Sequence, residues 1–282
     1  MTTAKIICDS IGPAGIRLTT MVLKYPRIVH SELMTHRVFS RNAKSSRAIP
    51  IAKEIESIIK DPYIPSIFYK NKKGMQGGDP LPEDEQLIAR NHWINSMHFA
   101  IQQAKFLDEL KVHKQHANRL LEPFSYMHLG LTTTDWTNFF GLRYHSDADP
   151  EMQILAVKAY ETYISQKPNE LKAGQWHLPY INESTLFDPL WNEPIDMQLK
   201  GSAARMARVS YLNHEGKMPT IEEDMALYDR LIRSENVHAS PTEHQAMATG
   251  DPNIKSGNLR GWVQFRKTIK NENIKKFRDL EE

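Results

Sequence analysis

The segment Gly15 to Tyr25, GIRLTTMVLKY, places Ile16, Leu18, Thr20 and Val22 on one face of an extended chain. That period of two is the pattern of a half-buried strand, so the protein must contain a sheet with at least one packed face. KIICDS, ending at Ser10, reads as another buried strand, and Phe124 to Leu131 (FSYMHLGL) repeats the alternation. Around these strands the apolar spacing turns helical. Ile28, Val29, Leu33, Met34 and Val38 predict a helix from about Pro26 into the His36 region, with proline at the first helical position. Pro50 to Lys60, Glu83 to about Leu110, and HKQHANRLL up to Glu122 follow as helices, with a brief one near Thr134 to Leu142. Asp149 before Pro150 is a cap for a helix to about Ser165, and Ala203 to Leu212 reads as another. Thr220 with Glu223 forms a capping box for a helix to Ser234, a signature repeated by Ser240, Pro241 and Glu243. Residues 61–82 read as a long loop and 167–199 as a connector without clear period. The expectation is an α+β protein, helices packed on a mainly antiparallel sheet, forming one domain over residues 1–282.

Hydrophobic residues make up 40% and charged residues 25% of the 282, which excludes a disordered or fibrous chain. Lys plus Arg number 36 against 34 Asp plus Glu, a net charge of +2, so no whole-molecule field calls for a polyanion. The basic tail KTIKNENIKKFRDLEE reads as a solvated helical face, and nucleic acid is not an expected partner. No apolar run reaches the length of a membrane span, and MTTAKIICDS lacks a basic and apolar leader, so a cytoplasmic protein is expected. The single cysteine, Cys8, excludes an intrachain disulfide and any Cys-rich metal site, and its place in a strand reads as core. His113 and His116 lack a third ligand, so no metal is assigned. Neither a P-loop nor a Rossmann fingerprint is present. Aromatic residues between Trp176 and Trp191 have the chemistry to stack a folate or nicotinamide ring, although packing of the connector is their commoner use.

The densest polar string is THRVFSRNAKSSR, Thr35 to Arg47, with three Arg, one Lys, three Ser, one His and one Asn in thirteen residues. Guanidinium forks, hydroxyls and free backbone N–H groups at a turn suit a phosphate. On composition alone a solvated basic loop is the commoner meaning.

The spacing of this string resembles the signature of the flavin-dependent thymidylate synthases, R-H-R-x7-S, through His36, Arg37 and Ser45. Further similarities are NRLLEPFSYMHL to A-R-x-x-L-P, TNFFGLR to N-F-L-x-L-R, and ADPEMQILA to A-Q-x-E-I. ARVSY (Ala207 to Tyr211) and HASPTEH (His238 to His244) look like that family's N-terminal elements, yet stand near this chain's C-terminal end. The chain therefore resembles a circularly permuted, phage-type member, with residues 16–165 and 200–250 in exchanged order. The resemblance implies FAD as cofactor, with NADPH and methylene-tetrahydrofolate as co-substrates. The reaction it implies is transfer of a one-carbon unit to C5 of dUMP by a homotetramer, without a cysteine nucleophile. It implies that His36, Arg37, Asn42, Asn138, Ser210, His238, Ser240 and Glu243 contact FAD. Ser45, Ser46 and Arg47, supported by Arg143, would hold the nucleotide phosphate. Arg119 would face the uracil as the catalytic residue, stabilising enolate-like charge.

Several positions depart from the family pattern. Thr35 replaces an Arg, Ala43 a Glu, Ala48 a Tyr, and Thr134 a common Arg, while Glu32 replaces a substrate-facing Gln. A carboxylate at Glu32 loses an amide donor and changes which edge of a pyrimidine the pocket reads. Hydroxymethylation of dUMP, or action on another pyrimidine deoxynucleotide such as dCMP, is thus an alternative. A non-catalytic protein that binds nucleotide or nucleic acid through Arg41, Lys44 and the tail is the competing class.

Overall fold

A computed structural model describes residues 1–181, 188–209, 219–232, 237–270 and 272–273. The alternating segment becomes β2 (Arg17–Pro26), the centre of a five-stranded sheet. Its order is β3 (Ser40–Ala43), β4 (Tyr126–Thr133), β2, β1 (Thr3–Ile11) and β5 (Asn169–Glu170). Every neighbouring pair is antiparallel except the short β1–β5 contact. The two faces of β2 divide as its sequence predicts. Met21, Leu23 and Tyr25 join Met127, Leu129 and Leu131 of β4 against Met152, Leu155 and Ala159 of α6 (Pro150–Ser165). Leu18 faces the opposite way, into a cluster with Ala246, Ala248 and Trp262. These come from β7 (Ala246–Ala248) and β10 (Trp262–Gln264), which with β6 (Trp176–His177) make a second sheet in the order β10-β7-β6. A small hairpin of β8 (Lys255–Ser256) and β9 (Leu259–Arg260) precedes β10.

Two helical layers flank this core. In the first, α2 (Ile51–Lys60), α3 (Glu83–Glu109) and α4 (Lys114–Ala117) bury Ile51, Ile55, Ile58, Met97, Ile101 and Ala117 together. In the second, α7 (Ile195–Arg208) packs Leu199, Ala203 and Ala207 on Leu227 and Tyr228 of α8 (Ile221–Ile232). Two predicted caps are made. Asp149 accepts from the backbone N–H of Glu151 at 2.9 Å and Met152 at 3.2 Å. Thr220 and Glu223 exchange backbone-to-side-chain bonds of 3.0 and 3.2 Å at the start of α8. The long helix α3 is apolar on two sides: opposite its buried face, Ile88, Phe99 and Phe106 are each more than half exposed, as is Leu110 just beyond its end.

Several local expectations are corrected. The helix from Pro26 is only a 3-10 turn, Arg27–Val29, and one α turn, α1 (His30–Leu33). The chain turns there because Phe39 is buried against Trp136 and Phe139, at 5.3 and 5.6 Å, leaving Met34 and Val38 on the surface. The connector 167–199 is not irregular throughout: it supplies β5, β6 and the start of α7, which begins after Pro194 rather than at Ala203. Gly201 hid that start, since it weakens helix propensity, but here it admits Leu190, whose Cδ1 would sit 2.1 Å from an added Cβ. Ser240–Glu243 forms a 3-10 turn without a side-chain cap, so the second capping box is not made. A short α5 (Thr137–Arg143) overlaps the helix predicted near Thr134 to Leu142, starting three residues later and ending one residue beyond it. Most of the basic tail lies outside the described residues.

Candidate active site

The turn between α1 and β3 meets α5 at His36, which is 4% exposed. Arg143, the last residue of α5, donates from Nε to His36 Nε2 at 3.1 Å and from a terminal nitrogen to Glu32 Oε2 at 3.0 Å. Arginine remains protonated, so His36 Nε2 must accept, and its proton sits on Nδ1. That Nδ1 lies 2.9 Å from Asn138 Oδ1 and donates to it. His36 is therefore neutral: burial lowers its pKa, opposed by the bond to Asn138 and assisted by the charges of Arg143 and Arg41. Phe139 edges onto the ring at 5.2 Å and fixes its plane. Four predicted site residues, Glu32, His36, Asn138 and Arg143, are thus brought together, and Thr35 joins them by donating its hydroxyl to Glu32 O at 2.7 Å.

At the far end of β3, Ser45 to Ala48 form a turn. The N–H of Ala48 donates to Ser45 O at 3.0 Å, and that of Arg47 to Ser45 Oγ at 3.3 Å. Carbonyls of this region are gripped by the protein: Asn118 donates to Ser46 O and Ile49 O at 2.8 and 2.9 Å, and Lys114 to Ala48 O at 2.9 Å. The N–H groups of Ser45 and Ser46 and the exposed guanidinium of Arg47 make no hydrogen bond among the described residues. A turn with bound carbonyls and free N–H groups is suited to an anion. Lys44 is not part of that surface, because its ammonium is buried on Glu54 at 2.8 Å. Arg119 follows the clamping Asn118, and its side chain is 62% exposed, 3.8 Å from Glu122.

The C-terminal segment reaches β3 from the other side. Asn42 is buried and donates to Met206 O of α7 at 3.4 Å. Gln264 of β10 donates to Glu243 O at 3.0 Å and Ser40 Oγ at 3.3 Å, holding the Ser240–Glu243 turn against β3. Glu243 forms an ion pair with Arg266, and His238 and Ser240 are exposed. Ser210 lies outside the described residues. Arg37 is exposed without a partner among the described residues, and Asn138 keeps its amide N–H groups free. Together with the Nε2 of His244 beside Glu243, buried and without a partner among the described residues, these free groups fit a flavin dinucleotide, which carries a diphosphate and a ring rich in hydrogen-bonding edges.

Sequence reading missed Asn118, Gln264 and Arg205 of α7, which is buried between Asp188 and Asp224 at 2.7 and 2.9 Å. Adjacency to Arg119 is a pointer to Asn118 but says nothing of its clamp, and Gln264 and Arg205 have no local signal. Among the described residues no group of His, Cys, Asp and Glu is arranged to hold a metal, and no helix is long and apolar enough to cross a membrane.

The sequence matches the family described as thymidylate synthase complementing protein over residues 16–169, more than half of the chain. No curated protein matches it. Among solved structures, it is similar to a UMP/dUMP methylase, PolB from Streptomyces cacaoi bound with 5-Br UMP. That match has 15% identity, 58% of this chain and 89% of that chain covered, and a TM-score of 0.49. It is also similar to the flavin-dependent thymidylate synthase ThyX of Helicobacter pylori complexed with FAD and dUMP. There the identity is 20%, coverage 52% and 67%, and the TM-score 0.36.

Proposed function

Since the chain belongs to the thymidylate synthase complementing protein family, and is thereby a flavin-dependent thymidylate synthase-like enzyme, we propose that it moves a one-carbon unit from methylene-tetrahydrofolate to C5 of dUMP, with FAD as cofactor and NADPH as reductant. The observation that carries this is the arrangement along β3. A turn suited to an anion stands at one end and the Glu32–Arg143–His36–Asn138 cluster at the other, about 13 Å apart for four extended residues. Bound FAD would supply the redox chemistry. Arg37, Asn138, His238, Ser240 and Glu243 would hold it, with His36 kept neutral as a neighbour. Asn42 and Ser210 are assigned to the same group.

Ser45, Ser46 and Arg47 would take the nucleotide phosphate by two N–H groups, a hydroxyl and a guanidinium. Arg119 is free to swing onto a pyrimidine carbonyl, where its charge favours electron density at C5. Arg119→Ala is expected to retain FAD and lose roughly a hundredfold or more in kcat; undiminished product formation would remove Arg119 from this role. The contact of the Ser240–Glu243 turn and Met206 with β3 supports the exchanged order of segments, since it joins the C-terminal elements to the His36 loop. The apolar stripe of Ile88, Phe99 and Phe106 supports assembly into a homotetramer through α3.

Glu32 favours a second reading. Its Oε2 is taken by Arg143, and Oε1 remains as an acceptor on a side chain 37% exposed, which suits the amino edge of cytosine; dCMP and hydroxymethyl products are therefore tested beside dUMP and methyl. The first test is spectroscopic: purified protein reconstituted with FAD should be yellow and bleach with NADPH. Colourless protein that takes up no FAD would sink the proposal.

A further inference from the structure

Opposite α6, one row of polar side chains crosses the main sheet. Cys8 pairs with Thr20, Thr20 with Thr132, and Thr132 with Ser40 in strand register. Two histidines outside this sheet complete a continuous hydrogen-bonded chain over the row. Ser10 Oγ lies 2.9 Å from His177 Nδ1, and His177 Nε2 lies 2.8 Å from Thr20 Oγ1. Thr20 and Thr132 hydroxyls are 2.7 Å apart, and Thr132 Oγ1 is 2.7 Å from His244 Nδ1. His177, His244, Thr20 and Thr132 are all fully buried.

The two ends differ. At one, Ser10 and Cys8 help line a cavity of about 500 Å³ beside β6, whose rim includes the exposed Asn169 and Gln175. It is roomy and polar enough for water. At the other, His244 Nε2 is buried with no hydrogen-bond partner among the described residues. It adjoins Glu243, whose carbonyl shares Gln264 with Ser40 of β3. A chain serving only to satisfy buried groups would not end on an orphan.

We propose that Ser10, His177, Thr20, Thr132 and His244 form a proton relay from the cavity beside β6 to the cofactor side of β3. This rests on the proposed reaction, in which dUMP, methylene-tetrahydrofolate, NADPH and one proton give dTMP, tetrahydrofolate and NADP⁺; each turnover takes up a proton from solvent. A proton from solvent, carried by cavity water, passes to Ser10 as Ser10 passes its own to His177 Nδ1. His177 releases its Nε2 proton to Thr20, Thr20 passes its own to Thr132, and Thr132 to His244 Nδ1. His244 then gives up its Nε2 proton to the bound reactants. One proton enters and one leaves, no heavy-atom bond changes, and rotation of the hydroxyls and rings resets the chain. Both rings are neutral at pH 7, because burial pulls each to about 3, with the other ring's charge adding to that on His177. Each therefore offers one donor and one acceptor, as a relay requires.

Hydrogen-bond polarity gives a test independent of turnover. If His177 Nε2 donates to Thr20, Thr132 must donate to His244 Nδ1, so both rings carry the proton on Nε2; reversed, both carry it on Nδ1. Nitrogen-15 NMR of the imidazoles in the full chain should find the same tautomer in both rings. Opposite tautomers would overturn the relay. In turnover, Thr20→Val and Thr132→Val should retain FAD and the nucleotide KM but lose roughly a hundredfold in kcat, and Thr20→Ser should recover most of it. Unchanged kcat in either valine variant that binds FAD would also overturn the relay. If the wild-type protein makes no C5-modified nucleotide, the proposed reaction fails instead, and the tautomer result alone decides whether the chain has a common polarity.

Discussion

Replacing Arg205 by Ala should cost about 3–5 kcal/mol of stability, the largest single-site loss expected in the protein. Arg205 is 3% exposed and grips Asp188 with two bonds of 2.7 and 3.0 Å, Asp224 with one of 2.9 Å, and Tyr180 O with one of 2.8 Å. The carboxylates are 1% and 0% exposed at the side chain, so neither can recover its hydration when the guanidinium goes. Arg208 still reaches Asp224 at 2.8 Å and the N–H of Leu190 still donates to Asp188 at 3.1 Å, so each buried carboxylate loses the Arg205 guanidinium while keeping another contact. Urea unfolding followed by circular dichroism should show the midpoint fall. Combining Arg205→Ala with Asp188→Asn should restore part of the loss. A single variant within about 1 kcal/mol of wild type would mean the hub is not energetically coupled. Because Tyr180 and Asp188 lie in the connector and Arg205 in α7, the lost stability should appear first where the connector is held to α7.

Acid should destabilise the protein well before its carboxylates titrate. His177 and His244 are held neutral by burial, with pKa values pulled to about 3, and His128 to about 4 by burial aided by Lys44 and Lys24. An unfolded histidine titrates near 6.5, so below that pH the unfolded chain binds more protons and the folded state loses ground. The stability these rings contribute is fully present above about pH 6.5 and is lost progressively as pH falls toward 3. At pH 5, each of the two fully buried rings accounts for about 2 kcal/mol, roughly 4 kcal/mol together. Unfolding free energies at pH 7 and pH 5 should differ by at least that much, and His244→Gln should remove about half of its two-ring share. Equal stability at the two values would show that the rings are solvated or already charged in the folded state.

The parts legible in the sequence were those whose causes are local. Alternation in β2, the carboxylate of Asp149, and the Thr220–Glu223 box each act within a few residues, and each appears where the chain predicts it. The Ser45 turn was also legible, because hydroxyls and arginines cluster in a short string. What escaped depends on distant pairing. Nothing near Asn118 states that it clamps residues about seventy positions earlier. His177 and His244 reach one chain of hydrogen bonds only because β6 and β7 are adjacent and stack on the main sheet. The short α1 has the same origin: its apolar spacing looked helical, but burial of Phe39 fixed where the chain had to turn.

The central claim is a flavin-dependent one-carbon transfer to a pyrimidine nucleotide. Its most direct test is mass spectrometry of the nucleotide after incubating the protein with FAD, NADPH, methylene-tetrahydrofolate and either dUMP or dCMP. Gain of a methyl group on dUMP, dependent on all three of the other components, is the predicted result; a hydroxymethyl group, or reaction of dCMP, would move the assignment to the reading Glu32 favours. An unmodified nucleotide from protein shown to bind FAD would contradict the account.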